Sequence, residues 1–208
     1  MRNKFGTLFM VLGALLILGS LGLFLRNESE AAAADQAAAV QLEQVVQQIT
    51  QRQESIPTLP QENLNIPLEY LEPEDLEMTE VEIDGHRYIG YLTLPGLELE
   101  LPVMADWNYP QLRIAPCRYT GSVRGEDLVL MAHNYARHFG GLSELSEGDS
   151  VIFTDMDGHV TLYEVIARDI LAPTAVAEMT SGDFDLTLFT CTYGGKSRVT
   201  VYCDKTDP

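Results

Sequence analysis

The stretch Phe5–Leu25 constrains this chain before anything else does. It carries no charged residue and is apolar almost throughout, with Gly13, Ala14, Gly19 and Ser20 among its few small interruptions. About twenty such residues in an α-helix span the hydrocarbon core of a bilayer. Arg2 and Lys4 precede the run, and Glu28 and Glu30 follow it. The basic flank stays in the cytoplasm. The expectation is therefore a cytoplasmic tail at residues 1–4, a single-pass transmembrane signal anchor at residues 5–25, and an extracellular remainder at the cell membrane. A cleaved signal peptide is the alternative, with Ala31-Ala32-Ala33 as a small-residue cleavage site. The apolar run is long for a signal core, which favours the uncleaved anchor.

Residues 26–78 predict a helical stalk and a Pro-rich linker. Glu30 to Gln53 is rich in Ala, Gln and Glu, all good helix formers. Leu42, Val45, Val46 and Ile49 fall at the i, i+3, i+4, i+7 spacing of one apolar stripe. Pro57, Pro60, Pro67 and Pro73 then break helix and favour extended chain. Stalk and linker together would hold a domain away from the bilayer.

From residue 79 to residue 204 the texture changes to short β-branched and alternating runs bounded by turn signals. Asp84-Gly85 separates Val81–Ile83 from a run reaching Leu94, Pro95-Gly96 precedes the alternating Leu97–Leu101, and Asp157-Gly158 precedes Val160. Asp106–Leu112 reads as a short helix with Trp107 packed inward, and Gly140–Leu145 as one helical turn. Asp127–Ala132 is a buried strand ending at His133. Many short strands with little helix imply a mainly β domain, a barrel or a sandwich. The formal net charge of −18 lacks the basic footprint of a nucleic-acid binder.

The segment with the most chemistry is Asp185–Cys203, DLTLFTCTYGGKSRVTVYC. Two apolar runs flank a polar turn, so Cys191 ends one strand and Arg198 opens the next. A fixed positive charge favours the thiolate form of a neighbouring thiol, which is the nucleophilic form. Acyl transfer also needs a proton donor and acceptor. Of the four histidines, His86 and His159 follow glycines in turns, whereas His133 sits rigidly at a strand end and His138 lies in the loop beyond. His133 is the preferred partner and His138 the alternative. Arg198 offers several donors in a fixed fork, suited to a developing oxyanion. A metal site built from His133, His138 and a cysteine matches no zinc spacing, so no metal and no cofactor are expected. The other cysteines, Cys117 and Cys203, read as structural, and a disulfide between them is possible if the domain is extracytoplasmic.

Several separated motifs resemble the sortase family of cell-surface cysteine transpeptidases. Thr187-Leu188-Phe189-Thr190-Cys191 is similar to its T-L-x-T-C signature, with Arg198 on the following strand. Met131-Ala132-His133-Asn134 is similar to its histidine motif, and Leu145-Ser146-Glu147-Gly148-Asp149-Ser150-Val151 to its L-x-x-G-D-x-V turn. Ile89–Pro95 and Leu101-Pro102-Val103 resemble its opening strands. The anchor and short C-terminus look class B- or D-like, although the connection Leu171–Asp183 is short for class B.

The resemblance implies a closed eight-stranded β-barrel with short helices and a catalytic groove on its wall. It implies Cys191 as nucleophile, His133 as acid and base, and Arg198 as substrate or oxyanion ligand, with Thr190 and Asn134 shaping the substrate site. The implied partners are surface proteins carrying a C-terminal LPxTG-like sorting signal, and an amine of a peptidoglycan precursor or a pilin that resolves a thioester acyl-enzyme. A cysteine hydrolase on the same site, and a non-enzymatic surface module, are the alternatives.

Overall fold

A computed structural model of the chain describes residues 2–55 and 77–206. The expected Pro-rich linker falls almost wholly between these segments, outside the described residues.

The apolar run and the stalk form one unbroken helix, α1, Arg2–Ser55. Its first half is apolar all round and exposed from Phe5 to Leu25 apart from a half-covered Gly13. By length and composition it can cross a membrane, with a mean hydropathy of 2.6. The second half, the expected stalk, lies against the barrel. Ala34, Ala38, Val45 and Ile49 are buried, and these positions repeat along one line of a 3.6-residue helix. Val46, expected on that stripe, is rotated off it and stays 40% exposed.

Among the described residues nine strands follow: β1 Val81–Ile83, β2 His86–Leu94, β3 Leu99–Met104, β4 Cys117–Thr120, β5 Leu128–Ala132, β6 Ser150–Asp155, β7 Val160–Leu171, β8 Leu186–Cys191 and β9 Arg198–Lys205. Their order is β1-β2-β3-β4-β5-β8-β9-β7-β6, and β6 pairs back onto β2. Strands β2 to β9 thus close an eight-stranded barrel, as expected. Strand β1 is an extra piece that takes up the start of the β2 edge, at His86–Tyr88, before β6 takes over from Gly90. The β1–β2 turn has Asp84 and Gly85 both at positive φ, 50° and 77°. That is the pairing a two-residue hairpin turn requires.

Three apolar clusters explain the burial. Inside the barrel, Leu92, Val103, Leu130, Phe153, Leu188 and Val201 are among the fully covered side chains. Between barrel and α1, Val45 and Ile49 meet Tyr88, Met104, Cys117 and Met156. Outside β8, Phe189 meets Val129 and Met179, the latter from the short helix α3, Val176–Met179. Strand β8 is therefore buried on both faces, as its uncharged run of Leu, Thr and Phe suggests. Cys117 and Cys203 belong to different clusters and both are free thiols, so the disulfide considered above is not formed. Burial pushes the two thiols up to about 12, as inert structural cysteines.

Candidate active site

Three strand ends bring the chemistry together. Strands β5 and β8 run parallel in register from Leu128 opposite Leu186 to Ala132 opposite Thr190. One step further along both chains, His133 follows beside Cys191. Strand β9 returns antiparallel, with Arg198 directly opposite Cys191. His133, Cys191 and Arg198 line one cavity of about 200 Å3, and all three are partly buried. Its other walls are mainly apolar and aromatic, from Met131 and Phe189 on the strands to Pro173, Val176 and Met179 on the β7–β8 connection.

Thr190 also lines the cavity, but its hydroxyl donates to the Ala132 carbonyl at 2.8 Å. It thereby ties the Cys191 strand to the end of the His133 strand. Asn134 is half-buried and is not among the lining residues. Arg198 Nη1 donates to the carbonyls of Gly195 at 3.3 Å and Ser197 at 3.1 Å, so it also braces the β8–β9 turn. His133 is held below the ordinary imidazole range, first by burial and then by the Arg113 charge. His138, the alternative, is fully buried and does not line the cavity. Burial pushes it down to about 4, with the His133 charge acting in the same sense and the Ala34 backbone and Asp35 opposing.

The expected inward packing of Trp107 is not observed. Trp107 precedes helix α2, Tyr109–Leu112, rather than lying in it, and it is 42% exposed. Leu112 and Ala115, not Trp107, are the residues of this segment buried in the cluster between barrel and α1. The indole instead stacks on Tyr119 of β4, with centroids 5.9 Å apart, and meets the edge of Tyr109. Trp107, Tyr109 and Tyr119 all line the cavity, and none was singled out from the sequence as a site residue. A usable signal was present. Asn108 caps α2 by accepting the Gln111 N–H at 2.8 Å, which sets Trp107 outside the helix.

Across the Trp107–Tyr119 pair lies a larger cleft of about 650 Å3, which these two residues share with the smaller cavity. Among the described residues its walls contain no cysteine or histidine, so the candidate nucleophile belongs to the smaller cavity. At the β6–β7 turn, Asp155, Asp157 and His159 lie close enough to reach one ion. Asp157 is already engaged by Arg52 at 2.9 Å and by Thr79, and Asp155 accepts the Asp157 and His159 N–H groups at 2.9 Å. These groups anchor α1 and shape the turn.

No curated protein matches the chain. Solved structures do. Sortase C1 from Streptococcus suis is 27% identical, with a TM-score of 0.51 over 59% of this chain and 75% of its own. Sortase C from Clostridium perfringens SM101 is 22% identical, with a TM-score of 0.53 over 80% and 90%. Sortase A from Corynebacterium diphtheriae is 19% identical, with a TM-score of 0.54 over 88% and 96%. The two less similar structures bear on the fold alone. A family model, Sortase domain, matches residues 92–206. That match spans more than half of the chain and takes in every strand from β3 to β9, including all three strand ends that meet at Cys191. The chain belongs to the sortase family of transpeptidases.

Proposed function

We propose that this sortase is a membrane-anchored cysteine transpeptidase acting on proteins with an LPxTG-like C-terminal sorting signal. The observation that carries the reading is the convergence of Cys191, His133 and Arg198 on one mainly apolar and aromatic cavity. About 200 Å3 is below the usual range for a compact small-molecule pocket. It suits a few side chains of an extended peptide, with the rest of the peptide lying along the exposed Tyr109 and Val176.

In the proposed reaction His133, neutral at rest because burial holds its imidazole down, takes the Cys191 thiol proton as the sulfur attacks the scissile carbonyl carbon and a carbon–sulfur bond forms. The carbonyl oxygen takes the negative charge, and the Arg198 guanidinium stabilises it. Collapse of this intermediate breaks the carbon–nitrogen bond, and His133 gives its proton to the leaving amine. The peptide remains as a thioester on Cys191. His133, again neutral, accepts a proton from an incoming amine, which attacks the thioester; the carbon–sulfur bond breaks as a new amide forms, and His133 returns the proton to the Cys191 sulfur. The amine comes from a peptidoglycan precursor or a pilin. Helix α1 would hold the enzyme in the membrane, with the tail at residues 1–4 cytoplasmic and the domain at residues 79–204 outside.

Product analysis tests this. The full chain in detergent, given a sorting-signal peptide and a primary amine, should yield the joined product, and Cys191→Ala should yield none. Hydrolysed peptide in amounts unaffected by any amine would favour a hydrolase. Full turnover by Cys191→Ala would overturn the site.

A further inference from the structure

Helix α1 and the candidate active site meet through one side chain that the reaction above does not use. His138 is completely buried although it is an imidazole, and among the described residues no hydrogen bond of standard geometry reaches either ring nitrogen. An apolar ring would fill the same space without that desolvation cost. The ring faces Ala34 and Asp35 on α1, and Ala34 is 3% exposed beneath this contact. Arg137, one residue away, pairs with Asp35 at 3.7 Å.

On its other side His138 leads to the reacting groups. Its ring centroid lies 5.5 Å from that of Tyr135, and Tyr135 lies 5.0 Å from His133. The backbone follows the same path. Phe139 N–H donates to the His133 carbonyl at 3.1 Å, while His138 and Gly140 N–H groups donate to the Tyr135 carbonyl at 3.0 and 2.9 Å. A Cβ at Gly140 would come within 2.6 Å of that carbonyl oxygen, so the loop has no slack there.

We propose that His138 is a positioning residue, a wedge between Ala34 of α1 and Tyr135 through which the docked anchor helix holds His133 against the cavity. This rests on the reading of His133 as the proton donor. The wedge also keeps water from His133, whose imidazole is held down mainly by burial. Among the described residues, the charged or titratable groups around the two imidazoles are Tyr135 between them, Asp35 from α1, Arg113 following α2, Arg137 in the loop, and Cys191 and Arg198 in the cavity. Removing the wedge admits water, so the His133 imidazole returns upward toward its ordinary range.

The test compares full-length wild type with His138→Ala, His138→Phe, Ala34→Trp and His133→Ala, each corrected for folded fraction by circular dichroism. For His138→Ala and Ala34→Trp, kcat should fall at least tenfold with KM changed less than threefold. The pH limb assigned to His133 should move to higher pH in both. His138→Phe, which keeps a ring in the wedge, should recover most of the kcat lost in His138→Ala. If His133→Ala is inactive while His138→Ala and Ala34→Trp keep wild-type kcat and pH profile, the positioning role is overturned. If His133→Ala is itself fully active, the assignment of His133 fails instead.

Discussion

At the scale of single residues, the site depends on how few atoms hold three strand ends in register. Arg198 both faces the cavity and grips two carbonyls of the β8–β9 turn. Lysine would keep the charge and lose the fork, so Arg198→Lys should lower kcat/KM by roughly 10²–10³, the scale of a lost oxyanion donor. Steady-state kinetics with a sorting-signal peptide would show this, and unchanged kcat/KM would contradict the role. Thr190→Val keeps the side-chain shape and removes the hydrogen bond to Ala132. It should destabilise the fold by about 1 kcal/mol. It should also lower kcat about tenfold, because the His133 strand end is no longer tied to the Cys191 strand. Denaturant titration and kinetics on one preparation read both effects. A stable variant with normal kcat would make the tie irrelevant to catalysis. Cys191, His133 and Arg198 were legible in sequence because each stands at a boundary between an apolar run and a polar turn. The aromatic wall was not, because the Trp107 contact with Tyr119 bridges β4 and the segment before α2, and no local period records it.

At the scale of elements, α1 is the surprise. Its apolar stripe was visible at Val45 and Ile49, but the helix also docks through Ala34 and Ala38, which local periodicity does not mark as core. Small side chains let a helix lie close to a sheet without announcing themselves as apolar anchors. Two polar clasps fix its far end, Arg52 to Asp157 at 2.9 Å and Gln53 to the Gly158 carbonyl at 3.3 Å. Ile49→Ala should therefore destabilise the full chain by roughly 2–5 kcal/mol, the usual cost of emptying a buried isoleucine site. Thermal unfolding in detergent measures it. A change below about 0.5 kcal/mol, typical of an exposed site, would mean that the helix is not docked in solution. The hairpins were easier to read than the helix, since Asp84-Gly85 and Asp157-Gly158 carry their turn geometry in their own residue types. The extra strand β1 shows where such reading stops. Closure of the barrel is set by which edge of β2 is left for β6, a non-local choice.

At the scale of the whole molecule, the apolar first half of α1 leads directly into the part of the same helix that is docked on the barrel. From the end of the apolar run at Leu25 to the first docked residue, Ala34, the helix rises roughly 14 Å at 1.5 Å per residue. A transpeptidase built this way would work near the membrane, where a sorting signal and a lipid-linked amine would both be presented. The formal charge of −18 over the whole chain would favour solubility of whatever part lies outside the bilayer. Intact-mass spectrometry tests the central claim most directly. The full chain is incubated with a sorting-signal peptide in the absence of amine and then challenged with one. A mass increase equal to the acyl portion of the peptide should map to Cys191, be labile to hydroxylamine as a thioester is, and disappear on addition of the amine as the joined product forms. Turnover without any adduct on Cys191, or an adduct that no amine can resolve, would contradict it.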